Sequence, residues 1–268
     1  MNAVALGPLV LAADRFAALL AIAVLLVAAA FLARRVDRRL DSWAGAAVLM
    51  GIVAARAGHV LLHWDSFGEE PWRGLAIWQG GFHLPSALLG IAAATAWFGR
   101  SPRFVAAAAL ALGLAALAGN VTLHLTRATY GQQAPVTRMA TLDGAMRSVR
   151  DFAGRPVVIN LWATWCPPCR REMPMMARLA AERRDVEFLF INQGENAAKV
   201  QAFMQRDKLA LPNVLLDAAM EVPRHYGTIG LPVTLFLRRD GSLAHLHTGE
   251  ISREALIGGI EALTPGTE

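Results

Sequence analysis

The chain has 268 residues, 55% of them hydrophobic, and a formal net charge of +5. Its mean hydropathy is positive, and both this and the hydrophobic share are high for a soluble protein, so membrane segments come first. Residues 1–129 hold ten Arg against six Asp and Glu, whereas the remainder holds sixteen Lys and Arg against fifteen acids, so the basic excess lies beside apolar segments and implies no nucleic acid.

Four apolar stretches come first in chain order, at about 9–33, 44–64, 81–98 and 104–125. Each is about long enough to cross a hydrocarbon core of ~30 Å as a helix. They predict an all-α four-helix transmembrane domain over residues 1–128 embedded in a lipid bilayer. Arg34, Arg35, Arg38 and Arg39 follow the first stretch, and Arg100 and Arg103 separate the third from the fourth. The loop between the second and third, DSFGEEPWRG, is net acidic. Positive-inside logic places the Arg-rich turns in the cytoplasm and the N-terminus and everything past Leu125 outside. No Lys or Arg precedes Arg15, and the Arg cluster follows the first apolar run, so this segment is expected to stay as an anchor. Arg56, His59, His63, His83 and His124 fall at membrane depth, where a functional network and a packing network with side chains reaching the interface are both open readings.

Two stretches here, AARAGHVLLHW and AIWQGGFHLPSALLG, resemble the early part of prolipoprotein diacylglyceryl transferases. The family follows its Trp-Gln-Gly-Gly run with a His-Gly-Gly motif. This chain has Pro85, Ser86 and Ala87 there, and Leu117 stands where a later family arginine aligns. Neither Pro nor Leu can grip a charged lipid headgroup, so the resemblance is expected to carry no transferase activity.

A linker is expected at 129–136 and an α/β domain, with a mixed sheet and flanking helices, over 137–268. PVVINLWA reads as a buried strand, PPCRREMPMMARLAAE as a helix with Pro at its first turn, and VEFLFIN as a second buried strand. AAKVQAFMQRD has helical spacing. VTLFLRRDGSLAHLHTG is a hairpin turning at Asp240-Gly241, and SREALIGGIEAL is a closing helix with Ser252 as N-cap.

The only two cysteines, Cys166 and Cys169, sit where the first of these strands gives way to the first helix. A thiol at a helix N-terminus faces unpaired N–H groups and the positive end of the dipole, which stabilises thiolate. An accessible thiolate attacks disulfides, and a second thiol two residues on resolves the mixed disulfide. Pro167 and Pro168 fix the backbone and add no donors, Trp165 covers the site, and Trp162 packs beneath. Three other readings stay open. A structural staple closes too short a loop to stabilise much. A zinc site lacks a second ligand pair, although His245 and His247 are candidates, so no metal is expected. A copper-binding module is favoured only by Met173, Met175 and Met176, whose spacing also suits a core.

The run NLWATWCPPCRREMP, with YGTIGLPVTLFLRRDG further on, resembles the thioredoxin-like TlpA/ResA group of extracytoplasmic thiol–disulfide oxidoreductases. The resemblance covers about Pro135 to the end. It implies catalysis by Cys166 and Cys169, a cis peptide bond at Leu231–Pro232 orienting the substrate chain, and Glu172 as a proton acceptor for Cys169. Asn160 stands where cytoplasmic thioredoxins carry a buried Asp, and Asn cannot act as a base. Pro174 matches a helix-kinking proline of the fold, and NQGEN a segment where the group inserts an extra strand and helix. The implied function is a membrane-anchored reductase in the periplasm of a bacterial inner membrane. Its implied clients are disulfide-bearing proteins such as apocytochrome c or copper-site assembly factors. A redox-active disulfide, Cys166–Cys169, stands in place of any cofactor, and the implied electron donor is a DsbD-like membrane protein. An oxidase, an isomerase or a copper-binding assembly module are the alternatives.

Overall fold

The computed structural model of the protein describes residues 3–6, 9–67, 74–77, 80–126 and 131–263. The chain forms two compact units, Ala13–Thr126 and Arg127–Glu268 together with Met1–Ala12.

The helical unit contains α1 (Ala13–Arg35), α2 (Arg39–Leu62), the single turn α3 (Trp64–Phe67), α4 (Leu84–Phe98) and α5 (Pro102–Thr126). Three of these, α1, α2 and α5, are long and apolar enough to cross a membrane. Two expectations change. The first apolar stretch does not become helical at residue 9: Leu9–Ala12 is a strand paired antiparallel with Ala3–Leu6. A four-residue apolar run fits a strand as well as a helix, and helix α1 begins beside Asp14, whose charge suits a helix start. The third stretch yields only the 15 residues of α4, about 22 Å of helix against the ~30 Å expected of a span. Gly80 and Gly81 hold φ of +80°, which a helix cannot use, and Pro85 occupies the first turn of α4.

Small residues bring α2 and α4 together. A Cβ on Gly90 would lie 2.4 Å from the Met50 carbonyl oxygen, so only glycine permits this approach. Trp43 donates from Nε1 to Thr95 Oγ1 at 3.1 Å between the same helices and meets Phe104 of α5 edge to face. Trp43, Leu40 and Leu25 fill a core otherwise built of alanines such as Ala29, Ala94 and Ala111.

The second unit carries a seven-stranded sheet. Its strands in chain order are β3 (Arg138–Thr141), β4 (Met146–Ser148), β5 (Val157–Trp162), β6 (Glu187–Gln193), β7 (Val214–Asp217), β8 (Val233–Leu237) and β9 (Leu243–Thr248), after β1 and β2 of the N-terminal hairpin. The spatial order is β4-β3-β7-β6-β5-β8-β9. Pairing is parallel for β5–β6 and β6–β7 and antiparallel elsewhere. The helices are α6 (Pro167–Glu182), α7 (Ala197–Arg206), α8 (Glu221–Tyr226) and α9 (Arg253–Glu261). Strand β5 lies inside the sheet between β6 and β8 and is buried on both faces, which explains its apolar run, broken only by Asn160. One face, Val158, Trp162, Phe190 and Phe236, packs on Met173 and Met176 of α6 and on Leu256 and Ile260 of α9. The other, Ile159, Leu161, Leu235 and Ile191, packs on Val222 and Tyr226 of α8.

Each helix expected in this unit from the sequence has its cap. Asn196 Oδ1 accepts from Lys199 N at 2.9 Å, and Ser252 Oγ accepts from Ala255 N at 3.2 Å. Helix α9 lies flat on the sheet because Gly259 faces the Phe236 ring; a Cβ there would stand 2.4 Å from a ring carbon. Phe236 is held in turn by stacking on His245 at 4.1 Å. Gly259→Leu is therefore expected to destabilise this unit by about 1–3 kcal/mol despite leucine's better helix propensity. A fall in the urea midpoint checks it, and an unchanged midpoint contradicts the packing argument.

Candidate active site

Strand β5 ends at Trp162, and α6 starts at Pro167 with Cys166 as its N-cap. Both prolines fall in the first turn, where a missing N–H costs nothing. Cys166 and Cys169 are joined in a disulfide. The Cys169 N–H points at Cys166 Sγ from 3.3 Å, so the helix start directs a donor at the first sulfur. The cysteines sit deeper than expected: Cys166 is 2% exposed and Cys169 fully buried. Trp162 is buried beneath, tilted on Phe203, while Trp165 is 64% exposed beside the pair. Pro167 is exposed and Pro168 half-buried.

The second expected segment arrives at the same place. The Leu231–Pro232 peptide bond is cis. Leu231 packs against the core cluster that contains both cysteines, and Pro232 is buried at the head of β8. Pro174 lies inside α6. Met173 and Met176 are fully buried core side chains and the partly buried Met175 packs against the same cluster, so the methionine spacing serves the core. His245 is stacked on Phe236, and burial first, then the nearby His247 and Arg238, lower its pKa to about 4.

Glu172 lies three residues after Cys169, on the same face of α6. It is 3% exposed. Its Oε1 accepts from Asn160 Nδ2 at 2.8 Å, and its Oε2 from the Ile251 N–H at 2.9 Å. Burial dominates these donors and, with the charge of Glu250, raises its pKa to about 8. Asn160, in the middle of β5, thus serves as the donor that orients the carboxyl group.

One residue of the site escaped sequence reading. Glu195 accepts from Thr164 N at 2.7 Å, Thr164 Oγ1 at 2.6 Å and Asn192 Nδ2 at 2.8 Å, and pairs with Lys199 Nζ at 2.7 Å. Burial works against its charge, but those partners outweigh it and hold its pKa at about 2. It fastens the loop two residues before Cys166 to the end of β6. Its position in NQGEN was visible, but its partner lies 31 residues away.

The polar residues of the helical unit form a separate network. Arg56 donates to the carbonyls of Gly74, Gly80, Gly81 and Ala76, at 2.7, 2.6, 3.0 and 3.4 Å. His83 Nδ1 is 2.8 Å from Ser86 Oγ. The guanidinium is thus engaged with the backbone at residues 74, 76, 80 and 81. Trp78 and Gln79 of the transferase-like run lie outside the described residues.

A thioredoxin-type sheet with a disulfide at the head of the helix after its central strand defines a thiol–disulfide redox protein. The sequence comparisons agree. A family model described as Redoxin matches residues 129–260, and one described as prolipoprotein diacylglyceryl transferase matches residues 2–165. The thiol-disulfide oxidoreductase ResA of Geobacillus thermodenitrificans is 32% identical over 148 residues, 54% of this chain and 84% of that protein. ResA of Geobacillus kaustophilus is 31% identical over 173 residues, 62% of this chain and 99% of that protein. The crystal structure of StoA from Bacillus subtilis aligns at 26% identity with a TM-score of 0.43, covering 48% of this chain and 98% of that one. The chain belongs to the ResA-like thiol–disulfide oxidoreductases through its C-terminal half and to the prolipoprotein diacylglyceryl transferase family through residues 2–165. With its three long apolar helices it is a membrane protein.

Proposed function

We propose that the chain is a membrane-anchored reductase of protein disulfides working outside the cytoplasm. The observation that carries this is the pairing of a helix-capping cysteine couple with a buried carboxyl whose proton affinity matches a thiol's. In the dithiol form the Cys166 thiolate attacks one sulfur of a client disulfide. A Cys166–client disulfide forms, and the second client sulfur leaves as thiolate. Glu172 takes the proton of Cys169, whose thiolate then attacks Cys166 Sγ and releases the first client sulfur. Two electrons pass to the client; one client thiolate takes the proton that Glu172 removed from Cys169, and the other takes one from solvent, where Cys166 released its own on ionising. A thiol's ordinary pKa is about 8.5, so a carboxyl near 8 exchanges protons with it almost isoenergetically. Trp165, Pro167, Pro168 and Leu231 surround the couple, and the backbone beside Pro232 is placed to align an extended client chain.

The Arg-rich turns α1–α2 and α4–α5 support an orientation with both chain ends in the periplasm of a bacterial inner membrane. Both cysteines lie outside the helical unit, so electrons do not cross the bilayer on this chain's own thiols. Renewal of the dithiol then calls for an external donor of the DsbD type. Client proteins of the apocytochrome c or copper-site assembly kind fit a reductase of this group. Lost motif residues and the engaged Arg56 favour an anchoring role, without acyl transfer, for the helical unit. The reduction potential of the couple in the full chain tests the direction. A value near or below about −250 mV supports reduction, and one near about −120 mV overturns it in favour of an oxidase.

A further inference from the structure

Two adjacent residues of α6 grip two adjacent residues beyond β9. Glu172 Oε2 accepts from the Ile251 N–H at 2.9 Å, and Arg171 donates from Nε and Nη2 to Glu250 Oε2 at 2.9 and 2.5 Å. Glu250 is 8% exposed, whereas the Arg171 side chain lies at the surface at 57%. An exposed ion pair contributes little to stability by itself. This one is placed so that its guanidinium fixes the peptide whose N–H serves the buried carboxyl.

We propose that Arg171 and Glu250 are positioning residues for Glu172: their ion pair straps the Glu250–Ile251 peptide onto α6 and sets one charge of each sign beside the proton carrier. The proposal rests on the reading of Glu172 as that carrier. The groups around Glu172 are Cys169 and Arg171 on its own helix, the neutral Asn160 on β5 and Glu250 on the segment leaving β9. His247 Nε2 stands 3.2 Å from the Glu250 carbonyl, and the buried Glu254 follows at the start of α9. A cation beside a carboxyl favours its ionised form and an anion disfavours it. Arg171 and Glu250 act on Glu172 in those two directions, beneath the larger effect of burial.

The two partners therefore give opposite signs. Glu250→Gln keeps an acceptor for Arg171 and removes the negative charge. Arg171→Gln removes the cation and with it the ion pair to Glu250. The test is the rate at which the reduced full chain, in lipid nanodiscs, reduces a short peptide disulfide between about pH 5 and pH 10. The wild type should show an inflection near the Glu172 value of about 8, and Glu172→Gln should lack it. Glu250→Gln should move the inflection down and Arg171→Gln up, each by about half a pH unit or more, with the double variant between them. Arg171→Lys, which keeps the charge, should restore the wild-type position. An inflection absent from Glu172→Gln but unmoved, or moved the same way, in Glu250→Gln and Arg171→Gln overturns the strap alone. An inflection that survives in Glu172→Gln overturns the reading of Glu172 and the strap with it.

Discussion

Cys166→Ser is expected to abolish disulfide exchange, with a fall on the order of a thousandfold or more, while Cys169→Ser arrests the reaction at a covalent adduct. The asymmetry follows from position on the helix. Cys166 caps α6 and has the Cys169 N–H aimed at its sulfur, a setting that stabilises thiolate. Cys169 is fully buried on the inner face of α6 and reaches no outside sulfur. With serine at 169 the first attack proceeds and the second cannot, so the client stays bound through Cys166. Non-reducing electrophoresis with a disulfide-bearing client distinguishes the two. An adduct on Cys166→Ser, or turnover by a variant lacking both thiols, removes the chemical basis of the enzyme.

The second large effect concerns stability. Glu172 is an ordinary carboxyl in the unfolded chain, near 4.5, and is raised to about 8 in the folded one. Folding therefore favours its protonated form. The corresponding stabilisation is complete below about pH 4.5, declines as the pH rises between the two values, and is lost once the pH passes about 8. The loss amounts to a few kcal/mol, on the order of 1.4 kcal/mol for each pH unit between the two values. Glu172→Gln has no charge to bury and keeps an oxygen for the Ile251 N–H. Its urea midpoint should stay level from about pH 5 to about pH 9, where that of the wild type falls. Parallel curves for the two proteins refute the assignment of a neutral, buried Glu172.

The centre of the fold was legible because its signals are local. The apolar run of β5, the Pro-Pro-Cys helix start, the Asp240-Gly241 turn and the Ser252 cap each follow from neighbours within a few residues. Short edge elements were not. Strands β3 and β4 span four and three residues, too few for alternation to show, and the six residues of α8 follow Met220, which holds a positive φ. At the site, Cys166, Cys169 and the Leu231–Pro232 bond could be named from motifs, whereas the donors to Glu172 and the grip of Glu195 on Thr164 could not. Asn160 and Ile251 converge on Glu172 from sequence separations of 12 and 79, which only the β5–α6 crossover and the β8–β9 hairpin bring together. In the helical unit, hydropathy located the apolar stretches but did not limit α4 to 15 residues, because two glycines and a proline decide where that helix begins.

A disulfide is open to any small thiolate that can line up with its sulfur–sulfur axis. In the disulfide state almost none of Cys166 reaches the surface, and the broad face of Trp165 stands beside it. A freely diffusing thiol therefore finds little of Cys166 to strike, while the exposed Trp165 offers a larger surface beside the couple for a protein to engage. Burial of Cys166 thus works as kinetic insulation of the oxidised couple against small thiols.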